Sequence, residues 1–104
     1  MAVDDDCPPA PIPEGALARL LPIINRKGLH ARASAKFVQT VDRFEAEVTV
    51  SRGGETVGGR SIMGLLTLAA AQGTSIMVTS RGTDAEACLD AIAALLADRF
   101  GEDE

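Results

Sequence analysis

The chain has 104 residues, 46% apolar and 24% charged, with neither Trp nor Tyr and three Phe. That length supports one hydrophobic core built from Leu, Ile, Val, Met and Ala, and the scarcity of aromatics argues against a base-stacking nucleic-acid module. The formal charge of −5 conceals a basic interior: seven of the fifteen acids lie near the two ends, and residues 19–60 carry eight basic against four acidic groups, a net +4 that points to an anionic partner or group.

Residues 1–15, "MAVDDDCPPAPIPEG", combine an acid run with spaced prolines and are expected to be a disordered extension to the domain. Their acidic start is not a secretory signal, and no apolar run in the chain approaches the ~20 residues that cross a bilayer. A cytoplasmic protein without membrane insertion is expected. "LARLLPII" reads as a first strand, and Pro22 places it at a sheet edge or a bulge. After "NRKG", the spacing of Ser34, Phe37, Val38 and Val41 predicts a short helix with one buried stripe. "EAEVTVS" alternates like a half-buried strand, "RGG" turns, and "ETVGG" returns as its partner. Ser61 is an N-cap signal for a second helix over "SIMGLLTLAAA", weakened at Gly64. "SIMVTS" reads as a last strand. Thr83 and Glu86 form a capping box for a third helix that buries Ala85, Cys88, Leu89, Ile92, Leu95 and Leu96 and ends at Gly101.

The order strand, helix, two strands, helix, strand, helix makes an α+β layer pair, one sheet with helices on one face. The domain is expected over residues 16–101, with an acidic C-terminal tail at 102–104. Gly28, Gly58 and Gly59 read as turn residues, and no Gly-rich nucleotide fingerprint is present. Cys7 and Cys88 have neither metal-ligand spacing nor a disulfide framework, so reduced thiols are expected.

The one histidine, His30, sits at the start of the first helix. A zinc site fails on ligand inventory. Ser34, one turn away, would make a nucleophile–base pair only with a third, orienting group, and none is identifiable. A plain helix cap remains open. The neighbours favour a different role, because four amides at a helix start lack intrahelical partners and the dipole adds positive potential. The amides of Ala31 and Arg32 would cradle a phosphoryl group, the Arg32 fork would bind its oxygens, and Lys27 and Lys36 would add charge. Histidine itself can carry a covalent phosphate.

"GLHARASAKFV" and "GGRSIMGLLTLAAAQGTSIMV" together resemble the two signatures of the HPr family of histidine phosphocarriers and its nitrogen-type relatives, over roughly residues 17–100. The resemblance implies an open-faced β-sandwich with a four-stranded antiparallel sheet under three helices. It implies that His30 takes a phosphoryl group at Nδ1 from enzyme I, charged by phosphoenolpyruvate, and passes it to an enzyme II A-type protein. Arg32 would steady the group in transfer. No cofactor or metal is implied: the chain would be a monomeric carrier, not an enzyme. Ala33 stands where the family usually has proline, which loosens the helix start while keeping its amides. That departure and the wording "RASAKF" lean toward the regulatory, nitrogen-type branch over sugar uptake.

Ser61 matches the family's regulatory phosphorylation site, the target of an HPr kinase/phosphorylase. Phosphate there would sit at a helix start and add ~1.5–2 negative charges without melting it. Ile62, Met63 and Leu66, with Lys27 and Lys36, would form the surface that meets successive partners, a task suited to adaptable Met. The alternative in another class is a small α+β ligand-binding or regulatory module in which His30 only caps the helix.

Overall fold

The computed structural model describes residues 12–104. Four strands, β1 (Leu17–Pro22), β2 (Glu47–Arg52), β3 (Glu55–Gly58) and β4 (Ser75–Arg81), form one antiparallel sheet in the order β1-β4-β2-β3. The helices α1 (Ala31–Val41) and α2 (Ile62–Thr67) lie between strands in sequence and α3 (Ala85–Ala97) follows β4, as the patterning indicates. β1 pairs only with β4, so Pro22, its last residue, costs no ladder bond in the sheet interior.

Period-two alternation decides which face is covered. Leu21, Val48, Val50, Ile76 and Val78 are buried, and the register sets Leu21 opposite Ile76 and Val50 opposite Val78. Onto them pack Phe37 and Val41 from α1, Leu65 from α2, and Cys88, Leu89, Ile92 and Leu96 from α3. The four-residue spacing of Phe37 and Val41 puts both on the inward stripe of α1, with Ser34 buried beside them. Burial pushes the Cys88 thiol up, which makes it an unreactive packing residue.

Three local readings need correction. α3 has no capping box: Asp84 stands at its N-cap without a side-chain cap bond, and its carboxylate instead accepts from the Glu45 amide at 2.9 Å, tying the helix start to the loop before β2. The third helix therefore starts after Asp84 and uses neither Thr83 nor Glu86 as a reciprocal cap. α2 stops at Thr67, shorter than the apolar run allows, because Ala69 turns into the left-handed region at φ 51°. The last helix ends at Ala97, and a 3₁₀ turn over Arg99–Gly101 follows.

Two backbone features position what lies at the start of α1. Gly28 has φ +69°, and a Cβ there would meet the Ala70 carbonyl oxygen at 2.5 Å. The loop before α1 can thus press against the chain leaving α2, where the Leu29 amide donates to that same oxygen at 2.9 Å. At the other end, Arg99 and Phe100 both adopt φ 56°, a conformation that L-residues resist. Phe100 is 1% exposed, and its burial in the core offsets that strain. Replacing Gly28 with Ala combines strain at positive φ with a backbone clash, so a loss of about 2 kcal/mol is expected. Urea denaturation measures it; a stability equal to that of the parent would show that the loop has another packing available.

Candidate functional site

His30 is the N-cap of α1, in extended backbone with φ −81° and ψ −174°. Its carbonyl accepts from the Ser34 amide at 2.8 Å, the first bond of the helix, while its ring turns back over the helix start. Nδ1 accepts from the Arg32 backbone amide at 3.3 Å. A nitrogen that accepts carries a lone pair, and this one points at the positive end of the helix. The ring is 26% exposed, open enough to be approached.

On the opposite side of the ring, Nε2 meets Oε2 of Glu102, 72 residues away in sequence. The other carboxylate oxygen accepts from Nδ2 of Asn25 at 3.0 Å, and that amide also donates to the Gly28 carbonyl at 2.8 Å. Asn25 is fully buried. The 3₁₀ turn makes this contact by reversing the chain after α3, and it is held there by Lys36, whose Nζ donates to the Phe100 carbonyl at 2.6 Å. The chain end is fixed too: the Arg26 amide donates to the Glu104 carbonyl at 2.8 Å, and its guanidinium pairs with the Glu104 side chain at 2.9 Å. The sequence reading ends the domain at residue 101, yet the three residues beyond it lie against the histidine loop. Glu102 and Asn25 were missed because one sits in an acid run and the other in a polar turn, and neither has a neighbour in sequence that marks it.

Arg26, Lys27, Arg32 and Lys36 line a cleft of about 430 Å³ together with residues 101–104, and two of these residues, Arg32 and Glu102, also contact the ring. The basic segment seen in sequence is therefore divided. Arg19 pairs with Asp90, Arg52 donates to the Leu68 carbonyl, Arg43 lies over the Phe44 ring, and Arg60 bonds Asp42 and the Ala46 and Phe44 carbonyls. Those four serve structure. The other four surround the cleft, and among the described residues Arg32 makes no ion pair. Its fork is available to an anion. No group of three or more metal-ligating side chains exists among the described residues.

Ser61 caps α2, accepting from the Gly64 amide at 2.9 Å, and is exposed. Arg60 anchors the chain immediately before it to the loop after α1. Met63 is 71% exposed, Ile62 is exposed and Leu66 is half-buried, while Leu65 between them fills the core. α2 packs on α1, so this surface belongs to the same helical layer as His30.

Burial alone would push the Glu102 carboxyl up. Hydrogen bonds from Asn25 and His30, with the charges of His30 and Lys27, outweigh burial and hold the group below its usual value of 4.5. A depressed carboxyl contributes stability that is present above its unfolded value and is lost as pH falls through its folded value. The protein should therefore be more stable than its Glu102→Gln variant near neutral pH, with the gap closing below about pH 4. Urea denaturation across a pH series checks this, and a gap independent of pH would contradict it.

A family model described as "PTS HPr component phosphorylation site" matches residues 18–98. Phosphocarrier protein HPr of Cupriavidus necator is 47% identical over 88 residues, covering 85% of this chain and 99% of the relative. Phosphocarrier protein NPr of Shewanella violacea is 41% identical over 86 residues, covering 83% and 94%. Among solved structures, an HPr of Thermoanaerobacter tengcongensis superposes with a TM-score of 0.81 at 34% identity, covering 85% of this chain and 99% of that one. The family model matched over residues 18–98, the antiparallel open-faced sheet and the lone histidine at a helix start agree: the chain belongs to the HPr family, phosphocarrier proteins of the phosphotransferase system that work through a phosphohistidine and are not themselves enzymes.

Proposed function

We propose that His30 is the residue that carries the phosphoryl group, that enzyme I is its donor and that enzyme II A-type proteins are its acceptors. One observation carries the assignment: Nδ1 presents a lone pair at the positive end of α1, beside a cleft lined by four cationic side chains. The Nδ1 lone pair attacks the phosphorus of the donor's phosphohistidine, and the donor's N–P bond breaks with its electron pair returning to the donor ring. The amides of Ala31 and Arg32 then face the phosphoryl oxygens, and the Arg32 guanidinium steadies them in flight. Lys27 and Lys36 line the same cleft and add positive potential for the approach of acidic partners.

Two substitutions test this in one assay, incubation with enzyme I and phosphoenolpyruvate. The His30→Ala variant should take no acid-labile phosphate; labelling equal to the parent would refute the assignment. Arg32→Ala should fold normally and transfer about 100-fold more slowly, on the scale of losing one donor to a developing charge. Unchanged kinetics would remove Arg32 from the mechanism. Offering the charged protein a panel of A-type acceptors separates a sugar-uptake chain from a regulatory, nitrogen-type one.

We assign Ser61 as the regulatory phosphorylation site for an HPr kinase/phosphorylase, and Ile62, Met63 and Leu66 to the docking surface for successive partners. Asp is as good an N-cap as Ser, so Ser61→Asp keeps the helix while adding charge to a face that meets acidic proteins. Its melting temperature should match the parent and its affinity for enzyme I should fall at least about tenfold. Equal affinity would count against regulation by charge. The reading places the protein in the cytoplasm as a monomer, and among the described residues no helix is long and apolar enough to cross a membrane.

A further inference from the structure

We infer that Glu102, aligned by the buried Asn25 amide, is a positioning residue that fixes His30 in the tautomer with its proton on Nε2 and keeps that proton in place while the phosphoryl group is carried. The inference rests on His30 as the carrier residue and adds a residue that the transfer depends on, brought to the ring from the other end of the chain.

The three side chains form a connected line: the Asn25 amide donates to one Glu102 oxygen, and the other oxygen faces His30 Nε2. A carboxylate only accepts, so Nε2 must supply the proton of that bond. On the far side of the ring the Arg32 amide is a donor, so Nδ1 must be the nitrogen with the lone pair. Both contacts select the same tautomer, and each by itself excludes the other one. The other tautomer, with its proton on Nδ1, would set a lone pair against the carboxylate and a proton against the amide proton. The geometry of the second contact is what makes it a fixed constraint: Glu102 is 15% exposed, and its other oxygen is held by a side chain with no exposure at all.

The same line matters during transfer. When Nδ1 attacks, the N–P bond to His30 forms, the donor's N–P bond breaks, and no proton leaves His30. The ring then holds phosphate on Nδ1 and a proton on Nε2, and it bears a positive charge that the Glu102 carboxylate faces. On discharge the electron pair of the N–P bond returns to Nδ1. With Nε2 still protonated, the departing ring is a neutral imidazole; without that proton it would be an imidazolate, a far poorer leaving group. Glu102 thus keeps the carrier both chargeable at Nδ1 and ready to discharge. The role is that of the carboxylate that orients an imidazole in hydrolase triads, here with a buried amide orienting the carboxylate in turn.

The test uses the full chain with ¹⁵N-labelled histidine. In the parent at alkaline pH, the ring ¹⁵N shifts should show a protonated Nε2 and an unprotonated Nδ1. In Glu102→Gln an NH2 group replaces one of the two oxygens that Asn25 and His30 contact, so both ring tautomers can find a partner and should mix. Single-turnover transfer from phosphorylated enzyme I, and onward to an A-type acceptor, should slow about tenfold or more, with phosphate still on His30. Glu102→Ala should show the same mixing and slowing, so both variants must agree. An unchanged tautomer balance, or a shifted balance with unchanged transfer rates, would overturn the role of Glu102 while leaving the carrier assignment intact. Absence of phosphate from His30 in the parent would instead remove the carrier assignment itself.

Discussion

One imidazole ring joins the first turn of α1 to the last residues of the chain, and the site depends on that junction. The amide of Arg32 holds one ring nitrogen and the carboxylate of Glu102 faces the other. Each partner is delivered by a local backbone conformation that the rest of the fold must hold. Gly28 lets the loop before α1 settle against the chain leaving α2, which sets where the N-cap falls. Phe100, buried despite its left-handed backbone, turns the chain so that Glu102 returns to the histidine. The core therefore does more than stabilise the sheet, because it decides that residues 30 and 102 meet.

The charges sort along the same lines. Arg19, Arg43, Arg52 and Arg60 are engaged with carboxylates, carbonyls or an aromatic ring and hold loops and helices together. Arg26, Lys27, Arg32 and Lys36 gather at the cleft, which residues 101–104 also line. A cleft lined by both cations and carboxylates can admit a phosphoryl group without holding it too tightly. That balance suits a carrier, which must release its cargo and each partner quickly. The exposed Met63 and Ile62 sit in the same helical layer as the histidine, as the proposed docking surface requires.

Much of this was legible in the residues. The alternation of Val48 and Val50, the spacing of Phe37 and Val41, and Pro22 at the end of a strand each encode a local preference that tertiary packing did not overrule. The position of His30 and Arg32 at a helix start was legible, because a helix start is built from residues next to each other in sequence. The capping box at Thr83 failed because Asp84 found a better use for its carboxylate across the chain, on the Glu45 amide. α2 came out shorter than its apolar run because packing placed a turn at Ala69. Glu102 could not be seen, since a carboxylate in an acid run reads as solvated until the fold shows which ring it faces. Phe100 was the available hint: a lone aromatic just past a helix end seldom stays in water. Residues 1–11, including Cys7 and most of the expected acidic extension, lie outside the described residues.

Coupling between phosphorus and a ring nitrogen bears most directly on this arrangement. With ¹⁵N-histidine in the protein and phosphoenolpyruvate and enzyme I supplying the phosphate, NMR reads which nitrogen of His30 is bonded to phosphorus. The expected result is coupling to Nδ1, with the proton retained on Nε2. Phosphorus bonded to Nε2, or found on any other side chain, would contradict the geometry described for this site.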